Sequence, residues 1–204
     1  MTKLKELQML YERIKNCYHC SLCKGRTNIV FGEGDFDAKI MLVGEAAGEQ
    51  EDLTGRPFIG RAGKCLNSFL SQAGLKREDV YITNICRCRP PNNRAPEWAE
   101  MDACSKYLDE HINIISPKVI IALGATAAKK FLNDKHVKIT QIRGIWHEYR
   151  GIKLMPTFHP AYILRQRTKE NIDKVRQDFA KVMQYIKDKE VKSICKEKKH
   201  ALYS

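Results

Sequence analysis

Apolar residues follow two different rhythms along this chain. From Lys3 to Lys15, Leu4, Leu7, Leu10 and Ile14 recur every three or four positions, which predicts one buried face of a helix. Lys39-Ile-Met-Leu-Val43 is a short unbroken apolar run that predicts a buried strand, emptying into Gly44-Glu-Ala-Ala-Gly48. Gly63 to Gln72 reads as a helix, with Gly74 ending it as a C-cap. Val80-Tyr-Ile-Thr-Asn84, Lys118-Val-Ile-Ile-Ala-Leu-Gly124 and Lys153-Leu-Met-Pro-Thr157 predict three more strands. Glu97–Ile115 and Ala125–Leu132 read as helices, and Cys88–Pro96, with three prolines and two asparagines, as a loop. Ile172, Val175, Phe179, Val182 and Ile186 mark an amphipathic helix from Lys169 to about Glu190.

Strands alternating with helices predict an α/β fold. The expected form is a three-layer αβα arrangement around a central, mainly parallel four-stranded sheet. Residues 1–190 are expected to form one domain, and 191–204 a basic, flexible tail. In such sheets ligands bind beyond the carboxyl ends of the strands. Gly44–Asp52, Asn84, Gly124 and His159-Pro160 should therefore line one crevice. No apolar stretch approaches the roughly 20 residues of a membrane span. The segment Met1 to Asn16 mixes charges with leucines, unlike a signal peptide, so an intracellular protein with no membrane partner is expected.

The formal net charge of +12 points to a partner bearing phosphates, of which nucleic acid is the commonest. Eight cysteines suggest ligation, because thiols in a reducing compartment are kept out of disulfides. Cys17-x2-Cys20 forms one pair, and Cys88 and Cys104, fifteen residues apart in between, form another. A tetrathiolate site of this kind suits a structural zinc or a [4Fe–4S] cluster. Cys23 extends the first pair into a ferredoxin-like C-x2-C-x2-C run, but Thr27 and Asn28 stand where that pattern continues with Cys-Pro. Cys65, Cys86 and Cys195 read as ordinary structural thiols.

Chemistry on a nucleobase requires the base out of its stack, recovered by aromatic stacking and by hydrogen bonds to the base edge. Phe58, in Gly55-Arg-Pro-Phe-Ile-Gly60, supplies an aromatic in a glycine-flanked loop. Asn84 offers a donor and an acceptor together, and His159 a donor to a carbonyl oxygen gathering negative charge. Each has an ordinary structural reading on its own, and their convergence on one sheet edge is what makes them a candidate site. Five motifs in order, Gly44-Glu-Ala-Ala-Gly-Glu-Gln-Glu-Asp52, Gly55-Arg-Pro-Phe-Ile-Gly-Arg-Ala-Gly63, Tyr81-Ile-Thr-Asn84, Cys88-Arg-Pro-Pro91 and His159-Pro-Ala-Tyr-Ile-Leu-Arg165, resemble family 4 uracil-DNA glycosylases.

The resemblance implies a DNA-repair enzyme that hydrolyses the N-glycosidic bond of uracil in single- or double-stranded DNA. It implies a [4Fe–4S] cluster on Cys17, Cys20, Cys88 and Cys104, with Cys23 and Cys86 as bystanders. Phe58 would stack on uracil, Asn84 would read its edge, and His159 would support charge on O2. Glu51 would fill the space beside C5, and it or Glu45 would orient water, with Ala46 and Gly48 in the base-binding turn. Ala46 stands where the larger superfamily has a water-activating aspartate, so catalysis is expected to be mainly electrostatic. Ala47 replaces the family's usual proline, Gln50 a common acid, and an Arg-Arg-Ile-His motif for covalent uracil-DNA linkage is absent. In the loop Tyr162–Arg167, Ile163 or Leu164 is the expected wedge into DNA, with Arg165 and Arg167 as phosphate contacts and Arg87, Arg89 and Arg94 as further backbone contacts. A monomer is expected, cytoplasmic and nucleoid-associated, with a sliding clamp as candidate partner of the lysine-rich tail. The rival readings are excision of hypoxanthine or a damaged base, a non-catalytic iron–sulfur DNA-binding module, and a zinc-stabilised fold with no nucleic-acid role.

Overall fold

Strands covered on both faces need apolar residues at nearly every position, and the centre of the sheet shows this pattern. The computed structural model describes residues 1–201, with side chains described through Val191. Its strands are β1 (Glu33–Gly34), β2 (Ile40–Ala46), β3 (Tyr81–Cys86), β4 (Val119–Leu123), β5 (His147–Tyr149) and β6 (Ile152–Thr157). The helices are α1 (Lys3–Ile14), α2 (Glu49–Thr54), α3 (Arg61–Gln72), α4 (Trp98–Ile115), α5 (Ala125–Leu132), α6 (Ile139–Ile142), α7 (Pro160–Arg165) and α8 (Lys169–Ala201). Every residue of β3 and β4 is buried, as are Ile40–Gly44 of β2 and Leu154–Thr157 of β6.

The sheet order is β1-β3-β2-β4-β6-β5. The four central strands are parallel and are the four expected from sequence. The sheet is larger than expected, because β1 and β5 add antiparallel edges. The β5–β6 hairpin turns through Arg150 and Gly151, at φ +49° and +81°, the paired left-handed conformation of a type I′ turn. One sheet face carries Leu7 of α1, Leu108 and Ile112 of α4, and Ala127 and Phe131 of α5. The other carries Leu66 and Phe69 of α3, Ile163 of α7, and Val175, Phe179 and Val182 of α8. The result is the three-layer αβα arrangement.

One expectation about the C-terminal segment needs correction. The last helix does not stop near Glu190 but continues to Ala201, since Val191–Ala201 contains no glycine or proline to end it. The rest of the expected tail, 202–204, lies outside the described residues. Among the described residues no helix is long and apolar enough to cross a membrane.

Chain connections leave β2 toward β3 on one side, while β4 lies on the other and leads on to β6. A crevice opens where such connections diverge, beyond the carboxyl ends of the strands.

Candidate active site and thiol cage

That crevice is a cavity of about 460 Å³. It is walled by the segments following β2, β3, β4 and β6, and Glu45, Ala46, Gly48, Glu51, Phe58, Asn84, His159 and Arg165 all line it. The sequence-derived base-binding residues are therefore brought together in one place.

Phe58 sits at φ +50°, a left-handed conformation that a bulky residue adopts only when its surroundings impose it. Arg77 imposes it from one side, donating from Nη1 to the Phe58 carbonyl at 3.1 Å and from Nη2 to the Pro57 carbonyl. Gly63 permits it from the other: a Cβ there would lie 1.7 Å from the Phe58 carbonyl oxygen. Gly44, at the end of β2, plays the matching role in the cavity floor. A Cβ at Gly44 would stand 2.4 Å from Asn84 Oδ1 and 2.5 Å from Phe58 Cζ.

Asn84 is 1% exposed, and its Oδ1 has no hydrogen-bond partner. A buried acceptor left unpaired costs on the order of 1–3 kcal/mol, which a ligand N–H would offset. The ring of His159 lies 5.7 Å from that of Phe58. His159 Nδ1 accepts the N–H of Ala161 at 3.1 Å, so the proton of the neutral ring is on Nε2. Burial in the cavity wall, and secondarily Arg165, lower its pKa to about 4, so the ring is neutral at pH 7.

The two acids differ in freedom. Glu51 Oε1 accepts the N–H groups of Ile59 and Gly60, both at 2.9 Å, and thereby fastens the Phe58 loop to α2. Glu45 Oε2 accepts the hydroxyl of Thr126, at the start of α5. Thr126 and Arg77 are contributors that sequence reasoning missed. Gly44 and Gly63 stood within the motifs, and Gly44 within the expected crevice, but sequence did not show the steric role that each plays.

The proposed wedge requires correction. Tyr162–Arg165 is part of helix α7 rather than a loop, and Ile163 is 3% exposed, packed in the core beside Val175 and Phe179. Leu164 is half-buried and Arg165 exposed, so these two remain available to a ligand. Arg87 likewise is not a surface contact, being 1% exposed. Arg94 is held by Glu100 at 2.7 and 2.8 Å, and Arg89 donates to Asn93 at 2.8 Å.

Behind the crevice, Cys17, Cys20, Cys88 and Cys104 line a second, smaller cavity, and Cys23 lines it with them. Cys17 Sγ lies 3.2 Å from His19 Nδ1 and 3.7 Å from the Tyr107 hydroxyl. Arg26 donates to Cys88 Sγ at 3.4 Å, and Arg87 reaches Cys104 Sγ at 3.9 Å. Donors and cations around four thiols suit a group bound through thiolates. Among the described residues no three or more His, Cys, Asp or Glu gather closely enough to hold a single metal ion. Glu100 ties the two cysteine loops together, accepting from Ser21 at 2.6 Å as well as from Arg94. Thr27 and Asn28, at the positions of the ferredoxin Cys-Pro, donate their N–H groups to buried Asp52 instead.

The profile of the uracil DNA glycosylase superfamily matches residues 31–187. The chain is similar to a type-4 uracil-DNA glycosylase of Thermotoga maritima, 48% identical over 187 residues that cover 91% of this chain and 97% of that one. It is also similar to type-4 uracil-DNA glycosylases of Sulfurisphaera tokodaii (43% identical; 88% and 84% covered) and Pyrobaculum aerophilum (45%; 79% and 86%).

Proposed function

Because the chain belongs to the type-4 uracil-DNA glycosylases of the uracil DNA glycosylase superfamily, we propose that it removes uracil from DNA by hydrolysing the N-glycosidic bond, leaving an abasic site for repair. The observation that carries this reading is the unpartnered, buried Oδ1 of Asn84 in a cavity shared with Phe58 and His159. Uracil flipped from the stack places its ring on Phe58 and its N3–H on Asn84 Oδ1, while the Asn84 amide N–H donates to O4.

Bond cleavage leaves negative charge on uracil and positive charge on the sugar. The neutral His159 ring donates from Nε2 toward uracil O2, a fixed donor aimed where charge develops. Glu45, steadied by Thr126, orients the attacking water, and with the DNA phosphates it offsets the sugar's charge. Glu51 acts through its free oxygen at the cavity wall beside C5, where thymine's methyl would collide. Ala46 offers no base, so stabilisation of charge supplies most of the acceleration. Arg165 contacts phosphate, and Leu164 is the residue of α7 placed to enter the stack.

The thiol cage suits a [4Fe–4S] cluster held by Cys17, Cys20, Cys88 and Cys104. When bound, such a cluster cross-links the two loops and carries negative charge; hydrolysis moves no electrons and draws no redox step from it.

Base release from an oligonucleotide carrying one uracil, read by alkaline cleavage beside thymine and hypoxanthine controls, tests this function. Cleavage at uracil alone, reduced roughly 100- to 1,000-fold in His159→Ala, is the expected result. Cluster-loaded protein that binds these oligonucleotides but cleaves none of them would sink it.

A further inference from the structure

Among the described residues, Arg87 heads the largest fully buried side chains, at 1% exposure. Its guanidinium Nη1 donates to the carbonyl oxygens of Asn84 and Ile85, each at 3.2 Å, and lies 3.9 Å from Cys104 Sγ. Nη2 lies 2.8 Å from His111 Nδ1. No carboxylate is among these described partners. Two cations at this separation would repel, so the imidazole is neutral, its Nδ1 placed between the guanidinium and the Tyr107 carbonyl at 3.1 Å. Burial, and next the charge of Arg87, hold the pKa of His111 well below its ordinary value, in agreement. His111 therefore supplies no negative charge.

An uncompensated buried cation costs several kcal/mol. The remaining anionic group within reach is the thiolate cage, through Cys104. On the opposite side, the carbonyls that Nη1 holds belong to the end of β3, including that of the residue reading uracil. We propose that Arg87 is a positioning residue that links the cluster to the base pocket, its charge balanced by the thiolate-bound cluster while it fixes the backbone presenting Asn84. This rests on the uracil and cluster readings above. The cluster then does more than brace loops: its charge makes a buried cation tolerable at the back of the site. Loss of the cluster would leave that cation uncompensated beside Asn84.

The test uses anaerobically purified holoprotein, Arg87→Gln and Arg87→Lys. The readouts are the reduction potential of the cluster by spectroelectrochemical titration, and inhibition of excision by free uracil. Arg87→Gln, which keeps N–H donors but loses the charge, is expected to lower the potential and weaken uracil inhibition about tenfold. Arg87→Lys, which returns a cation near the position of Nη1, is expected to restore both. Wild-type values for both readouts in Arg87→Gln would overturn the link. If Arg87→Gln yields no folded holoprotein, Arg87→Lys decides: wild-type values in both support the link, and weakened uracil inhibition at an unchanged potential overturns it. Wild-type protein that purifies without iron overturns the cluster reading and the link with it, whereas iron-loaded Arg87→Gln with unchanged readouts overturns the link alone.

Discussion

The backbone N–H of Ala161 donates to Nδ1 of His159 at 3.1 Å, and this one bond decides which face of the imidazole is a donor. The helix start that orients the His159 ring therefore also sets its tautomer. An imidazolium could not accept this bond.

The pH behaviour follows. His159 titrates near 4 in the folded protein, lowered first by burial and then by Arg165, against about 6.5 in the unfolded chain. The unfolded state thus binds the proton first as pH falls. The contribution of His159 to stability is intact above pH 6.5 and declines between 6.5 and 4, by up to about 3 kcal/mol. The excision rate is expected to show no inflection from His159 between pH 5 and 8. Histidine ring ¹H–¹⁵N spectra check this directly: a His159 signal titrating near 6.5 would contradict the assignment.

Gly44→Ala is expected to abolish uracil binding while leaving the protein folded. The new methyl falls between Asn84 Oδ1 and Phe58 Cζ, where stacking and edge recognition meet. Overpacking of this kind costs about 1–3 kcal/mol of stability, measurable by urea unfolding. Retained inhibition by free uracil would show that the base does not occupy this gap.

Glu100 is held ionised by Arg94, with help from Ser21 and the Glu97 N–H, and its pKa falls to about 2. Its carboxylate stabilises the fold fully above the unfolded value near 4.3, and that stabilisation fades as pH falls toward 2. Glu100→Gln is expected to cost about 2 kcal/mol at pH 7 and about half as much at pH 3. Denaturation at the two pH values compares them, and an equal loss at both would remove the ionic contribution from Glu100.

Serine substitution separates the thiols that hold the cluster from those that merely lie near it. Cys17→Ser, Cys20→Ser, Cys88→Ser and Cys104→Ser are each expected to lower iron content and visible absorbance. Cys86→Ser and Cys23→Ser are expected to leave both unchanged. Cys23 is the stringent case, because it lines the same cavity as the four assigned ligands. Iron lost from Cys23→Ser and kept in one of the four would redraw the ligand set.

The four central strands were legible because burial on both faces writes an unbroken apolar run, as in Val119–Leu123. The edges were not. β1 is two residues long, and β5 turns into β6 through Arg150-Gly151, which lacks the Asn-Gly or Asp-Gly signature of such hairpins. Phe58, Asn84 and His159 stood out because aromatic, amide and imidazole groups gather at strand ends. Ile163 misled, because an apolar residue just ahead of two arginines looks the same whether its helix turns it inward or outward. Arg87 misled for the opposite reason, since sequence assigns an arginine among other arginines to the surface.

The ordering of the thiols along the chain has a consequence for assembly. Cys17 and Cys20 precede β1, while Cys88 and Cys104 follow β3, so the first half of the sheet is enclosed in the loop the cluster would close. Closing a long loop carries an entropy cost that grows slowly with its length, and the cluster adds nothing until β2 and β3 have aligned its ligands. A cluster on these four thiols would therefore be captured late, as a seal on a sheet already paired.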